Sequence, residues 1–251
     1  MEAKYTKQHF VRYYECDTQA RMTLQRLIQI AVEISGEQVM KINENVGRDI
    51  MGEEQLAWII IQYEFEINRL PQAEETITIE TEIGEYTKLF AKRLFTIYDE
   101  NENVLLTIET LFSTFNVEKR KLGRIPSDLF KDIDGPKQVK RIKRQPAPER
   151  VEEVVGSKDY YVRYFDIDSN QHVNNSHYIE WSLDVLGGEF LQDHDITYAN
   201  IKFEKEVHYG DTILSEYSLV EEGDVIKTAH RITNGEVVNS ELNYHFVKRE
   251  N

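Results

Sequence analysis

The chain repeats itself, and that restricts its possible folds more than any other property of its 251 residues. Val11-Arg12-Tyr13-Tyr14-Glu15-Cys16-Asp17-Thr18 aligns with Val162-Arg163-Tyr164-Phe165-Asp166-Ile167-Asp168-Ser169, identical at four of eight positions and like for like at three more. Further on, Ile61-Gln62-Tyr63-Glu64-Phe65-Glu66-Ile67 aligns with Ile201-Lys202-Phe203-Glu204-Lys205-Glu206-Val207, in the same order along the chain. Two ordered matches imply a duplicated domain. Each copy is long enough to bury a core of its own.

Hydrophobic periodicity supplies the elements of each copy. In the first, Thr23 is placed to cap a helix whose apolar residues recur at Leu24, Leu27, Ile28, Ala31 and Ile34. Extended segments are expected over 56–68, 76–83, 87–98 and 104–117, with a polar turn at 99–103. The second copy predicts a strand near 158–165 and a helix from about Asn174, with Tyr178, Trp181 and Val185 on one face and Gly187-Gly188 as its stop. Strands follow near 197–207, 212–220, 225–232 and 236–247, with Asn234-Gly235 as a two-residue hairpin signal. One strand, one helix and a meander of antiparallel strands, done twice, is an α+β plan in which each sheet wraps around a helix. The first copy holds about 11 more residues between the matched blocks, around 41–55, read as an extra helical excursion. The expected boundaries are 1–118 and 151–251, joined by a linker over 119–150 that contains Gly135-Pro136 and Pro146-Ala147-Pro148.

A net charge of −15 argues against general nucleic-acid binding. The charge is uneven, because 119–150 carries 11 Lys/Arg against 4 Asp/Glu. Such a basic island is either a solvated linker or a docking surface for an acidic partner. The longest apolar run, 56–61, is too short to span a bilayer, and no apolar leader precedes the first strand-like pattern, so a cytoplasmic location is expected. Cys16 is the sole cysteine and aligns with Ile167, which marks a packing position. Arg12 and Arg163 repeat each other, as a structural ion pair would. There is no Gly-rich phosphate loop and no G-x-S-x-G elbow, and His177, His194, His208 and His230 lack metal-ligand spacing. No metal or cofactor is expected.

The copies diverge at one informative place. The second has Asp168-Ser169-Asn170-Gln171-His172-Val173-Asn174-Asn175 where the first has Asp17-Thr18-Gln19-Ala20-Arg21-Met22-Thr23-Leu24. Packing positions match while Asn170 and His172 do not, the pattern of a site kept once and lost once. Together with Tyr178-Ile179 and Trp181, this run resembles the signature of plant and bacterial acyl-acyl carrier protein (acyl-ACP) thioesterases. The resemblance extends over the whole chain and implies two tandem hot-dog domains with the catalytic set in the second. By that resemblance Asp168, Asn170 and His172 are catalytic, and Glu206 matches the family's catalytic glutamate. Plant members often carry a cysteine directly after that glutamate; here the position is Val207, so a cysteine–histidine scheme has no nucleophile there. The implied reaction releases free fatty acid from acyl carrier protein without a cofactor, the first copy holding the acyl chain. One chain supplies both halves of a hot-dog pair, so monomer and homodimer are both compatible.

The chemistry follows from the residue types. Thioester hydrolysis needs water activated near neutral pH and support for charge on the carbonyl oxygen. Histidine titrates at ~6.5, and burial raises a glutamate toward neutrality, so either could take the proton. A helix opening after His172, with Asn174 as its cap, offers free N–H groups to an oxyanion. The sequence leaves open which group activates water. It also groups Glu206 with Lys202 and Glu204 on an exposed strand face, with Glu66 as its counterpart in the first copy, so a bulge, or a sheet face turned toward the site, would be needed to bring it inward. An acyl-CoA thioesterase, a hot-dog dehydratase and a non-catalytic acyl-binding module are the competing readings.

Overall fold

The computed structural model describes residues 4–46, 49–131, 133–169 and 171–249. The first copy comprises β1 (Lys4–Phe10), α1 (Leu24–Val46), α2 (Ile50–Glu53), β2 (Leu56–Ile67), β3 (Thr76–Tyr86), β4 (Phe90–Tyr98) and β5 (Val104–Asn116). The connecting segment adds two short strands, β6 (Lys121–Leu122) and β7 (Lys137–Gln138). The second copy comprises β8 (Gly156–Tyr161), α3 (Ser176–Asp184), α4 (Gly188–Asp193), β9 (His194–Phe203), β10 (Thr212–Glu222), β11 (Val225–Asn234) and β12 (Val237–Lys248). This is the expected α+β tandem hot-dog fold.

The two sheets are continuous, in the order β1-β3-β4-β5-β2-β9-β12-β11-β10-β8. At the seam β2 and β9 run antiparallel, so each copy hides the other's open edge. Thr23 caps α1 by accepting the Arg26 amide at 3.3 Å. The helix buries Leu24, Leu27, Ile28, Ala31 and Ile34 in one core with Tyr178, Ile179 and Trp181 of α3 and inward strand residues of both copies. Each leucine or isoleucine among them contributes roughly 1.5–3 kcal/mol on burial, so the shared core ties the copies together. No described helix is long and apolar enough to cross a membrane.

The structure corrects the second matched block. Val11 N–H donates to Glu75 O and Val162 N–H to Asp211 O; likewise Met22 N–H donates to Pro71 O and Val173 N–H to Val207 O. These paired bonds equate Pro71 with Val207 and Leu70 with Glu206, four residues away from the sequence match. Glu66 is therefore not the counterpart of Glu206. The same register makes Glu64 and Asn200 counterparts, and they pair directly across the seam. Identical residues on two alternating strands favour a shifted alignment, and the first copy carries 15 additional residues rather than 11. They form the end of α1 and α2.

Smaller differences have local causes. β8 stops at Tyr161, and Tyr164–Asp166 is a 3-10 turn closed by Asp166, whose carboxylate accepts the Arg163 amide at 2.8 Å. Thr87 belongs to a turn, its Oγ1 accepting the Leu89 and Phe90 amides, so β4 starts at Phe90. The hairpin loop is Gly235-Glu236, because Asn234 still pairs with Val237, and Gly235 takes the positive φ of 58°. α3 ends at Asp184, short of the expected Gly187-Gly188 stop, and α4 follows at once, from Gly188. Arg163 forms the anticipated ion pair, 2.7 Å from Asp166, whereas Arg12 stacks on Phe10 at 4.7 Å.

The 119–150 segment is more than a tether. β6 pairs with β5, β7 pairs with β3, and Ile125, Leu129, Phe130 and Ile133 pack with Ile42, Ile50, Met51, Ile83 and Ala91 in a second cluster. Further along, Ile142 is buried while Lys140, Arg141, Lys143 and Arg144 are exposed. Gln62 and Asn200, on the two seam strands, both donate to Pro146 O (2.7 and 3.0 Å) and pin the segment across the junction.

Candidate active site

The loop that carries the candidate residues is built by a turn common to both copies. Asp168 N–H donates to His172 O at 3.0 Å, Gln171 N–H to Asp168 O at 3.0 Å, and Gln171 sits at φ 71°. In the first copy Asp17 N–H donates to Arg21 O at 2.8 Å, Ala20 N–H to Asp17 O at 3.0 Å, and Ala20 sits at φ 60°. The recurring aspartates thus share a turn-forming role. Asp168 also accepts from Asn174 Nδ2 at 3.2 Å. Asn174 in turn accepts the Ser176 amide (3.1 Å) and hydroxyl (2.7 Å) on Oδ1, capping α3 from one residue before its formal N-cap, Asn175.

Glu206 escapes the exposed strand face because the strand ends. β9 stops at Phe203, and residues 204–207 leave the sheet. Buried Asn239 holds this departure, donating through Nδ2 to Lys205 O (3.3 Å) and Glu206 O (3.2 Å). Tyr178 of α3 donates to Lys205 O at 3.5 Å, and Val173 N–H donates to Val207 O at 3.0 Å. The segment is thereby strapped beside the α3 start, and the Glu206 carboxylate lies 3.6 Å from His172 Nε2. Both side chains are partly solvent-accessible. Asn170 lies outside the described residues. Nothing in the sequence pointed to Asn239 as a positioning residue, since it reads as one polar position of an alternating strand.

His172, Glu206, Asp168 and Asn174 border a cavity of about 590 Å³. From that polar end the lining passes Tyr178, Phe203 and Tyr63 and continues along Ile28, Val32, Gly36 and Val39 of α1 to Trp58, Phe112 and Phe130. The wall beyond the mouth is therefore mostly apolar, with Arg93 as a charged exception, and is drawn mostly from the first copy. At the mouth, the amides of Asn174 and Ser176 are occupied by Asp166 O and Asn174 Oδ1, and no hydrogen bond to the Asn175 amide forms among the described residues. No group of three or more described His, Cys, Asp or Glu residues is arranged to hold a metal. Cys16 is half-buried with its thiol on Arg12 O, and burial raises its pKa, so it is a packing residue.

Two family models account for nearly the whole chain: the acyl-ACP thioesterase N-terminal domain over residues 2–133 and the acyl-ACP thioesterase C-terminal domain over residues 149–248. The chain belongs to the acyl-ACP thioesterase family. A Lactobacillus plantarum structure assigned as an oleoyl thioesterase is 32% identical, with a TM-score of 0.90 over 100% of this chain and 98% of that one. The 12:0-ACP thioesterase of Umbellularia californica shares the fold, with a TM-score of 0.83 at 17% identity, covering 98% of this chain and 95% of its own. Among curated relatives, the chloroplastic palmitoyl-acyl carrier protein thioesterase of Cuphea hookeriana is 27% identical over 65% of this chain and 41% of its own length. The chain spans between about two fifths and three fifths of the length of the first such relatives. Val207, directly after the candidate glutamate, is fully buried.

Proposed function

We propose that this protein hydrolyses the thioester of fatty acyl groups carried on acyl carrier protein, releasing the free fatty acid. The observation that carries the reading is one continuous cavity with His172 and Glu206 at its polar mouth and a mostly apolar wall behind them. A fatty chain lying along that wall would present its thioester carbonyl beside the α3 start.

In this reading Glu206 takes a proton from water as the water oxygen attacks the carbonyl carbon. The developing oxyanion is met by the Asn175 amide and the positive end of α3, where a single such donor is worth roughly 2.7–4 kcal/mol in other hydrolases. Collapse breaks the C–S bond, and the carrier's thiolate is protonated by His172 or solvent. His172 orients the thioester and shares the proton transfer. Asp168 holds the turn and Asn174 beside it, and Asn170 steadies Glu206 by analogy with the family. Val207 leaves no thiol nucleophile next to Glu206.

The exposed Lys137, Lys140, Arg141, Lys143 and Arg144 supply the docking surface for the acidic carrier. The test is a product assay on acyl chains of graded length, each loaded on acyl carrier protein and on coenzyme A. Free acid released faster from the protein carrier supports the reading. Faster release from coenzyme A would make it an acyl-CoA thioesterase, and no cleavage of either would leave an acyl-binding module.

A further inference from the structure

The cavity wall holds a buried charge that thioester hydrolysis does not use. Arg93 of β4 borders the cavity with 8% of its surface exposed. Its strand neighbours are Ile83 on β3 and Thr110 on β5, and Val32, Ser35 and Val39 of α1 line the same cavity. Nη1 donates to Gln38 Oε1 at 2.5 Å and to Thr81 Oγ1 at 2.9 Å. Among the described residues, neither Nε nor Nη2 has an acceptor, and no carboxylate lies within ion-pair distance. Burial lowers the guanidinium to about 10, so it stays charged at neutral pH. Tyr63 also borders the cavity at 1% exposure, two strands away or ~10 Å, and its hydroxyl makes no hydrogen bond among the described residues.

A guanidinium offers five donors in a fixed fork, and two neutral acceptors on one nitrogen leave most of them unmet. Buried charge is costly unless it is paired. A packing role in this wall would be served by methionine or leucine. Unsubstituted methylenes sliding past Arg93 strip its remaining hydration and return no acceptor. An oxygen on the chain returns one.

We propose that Arg93 makes the cavity selective for acyl chains bearing a hydroxyl or oxo oxygen at the depth of the β4 wall, over unsubstituted chains of equal length. The inference rests on the thioesterase reading for the nature of the ligand, but it concerns the tail of the chain and not the thioester.

The experiment measures binding of non-hydrolysable amide analogues of acyl-pantetheine to the full chain, comparing an unsubstituted chain with a series carrying one hydroxyl or oxo group at successive positions. The expected result is a preference of tenfold or more at one or two adjacent positions, lost or reversed in Arg93→Met. A flat profile in the wild-type protein overturns the proposal, as does an undiminished preference in Arg93→Met. If that variant does not fold, the wild-type position scan decides alone. Hydrolysis of unsubstituted acyl-ACP, followed in parallel, separates the two ideas: turnover with a flat profile sinks this inference, and position-dependent binding without turnover sinks the thioesterase reading.

Discussion

Arg21 and His172 occupy the same backbone position in the two copies, each offering its carbonyl to the amide of the aspartate four residues earlier. Their side chains do opposite things. His172 faces Glu206 at the cavity mouth, while Arg21 is buried and bonds Asp195 (2.6 Å), His194 O (3.1 Å) and Leu191 O (2.9 Å) of the second copy. The position that faces the cavity mouth in one copy is a clamp in the other.

Arg21→Met should therefore destabilise the chain without touching the candidate site. Asp195 is nearly half exposed and keeps Arg249 at 2.9 Å, which discounts the lost ion pair. The two orphaned carbonyls and the lost ion pair with Asp17, at 2.8 Å, suggest a loss of about 2 kcal/mol. Urea unfolding should show a lower midpoint with an unchanged slope, and an unchanged midpoint would contradict the clamp.

Gly36 lines the cavity from the middle of α1, and a Cβ added there meets nothing within 4 Å. Gly36→Ala should raise stability by roughly 0.5–1 kcal/mol through helix propensity alone. Gly36→Leu should fill the cavity and shift preference toward shorter acyl chains, read as the ratio of kcat/KM across a chain-length series. A ratio that does not move would place the acyl chain elsewhere.

Much of this architecture could be read from the sequence. The duplication, the helix stripe from Leu24 to Ile34 and the position of the α3 start all follow from local pattern. What failed was register: Glu66 and Glu206 look like counterparts because both sit in alternating Ile-x-aromatic-Glu runs, yet the backbone equates Glu206 with Leu70. Strand periodicity cannot show where a strand ends, and Glu206 reaches His172 because β9 ends at Phe203. The straps responsible, Asn239 and the Lys205 and Glu206 carbonyls, are sequence-distant contacts with no local signal. The packing of 119–150 carries little local signal for a similar reason, since its exposed cations surround the buried Ile142.

Acid sensitivity should trace in part to Asp166. Burial pushes its carboxyl up, but hydrogen bonds from the Arg163 side chain and amide, with His177 nearby, outweigh that and hold it below the usual carboxylate range. A lowered folded pKa means the unfolded chain takes up the proton first on acidification. The stabilisation is full above ~4, the ordinary aspartate value, and is lost as pH falls through the folded pKa. Asp166→Asn should be less stable than the wild type at pH 7, with the gap closing toward pH 3 in urea titrations. A gap that stays constant would show that the carboxylate's charge is not what matters.

Charge reversal at Lys140 and Arg141 should raise KM for carrier-bound substrate several-fold at low salt, with kcat little changed. The difference should shrink as ionic strength rises and the Debye length falls below ~10 Å. An equal KM at low salt would return the segment to a purely structural role.

The central claim is that the His172–Glu206 pair at the cavity mouth cleaves acyl thioesters. Its most direct test is steady-state release of free fatty acid from acyl-ACP by the wild type, Glu206→Gln and His172→Ala, with folding checked by circular dichroism. The wild type should turn over, and kcat should fall by about 10²–10⁴-fold in each variant. Variants that are folded and turn over at the wild-type rate would contradict it.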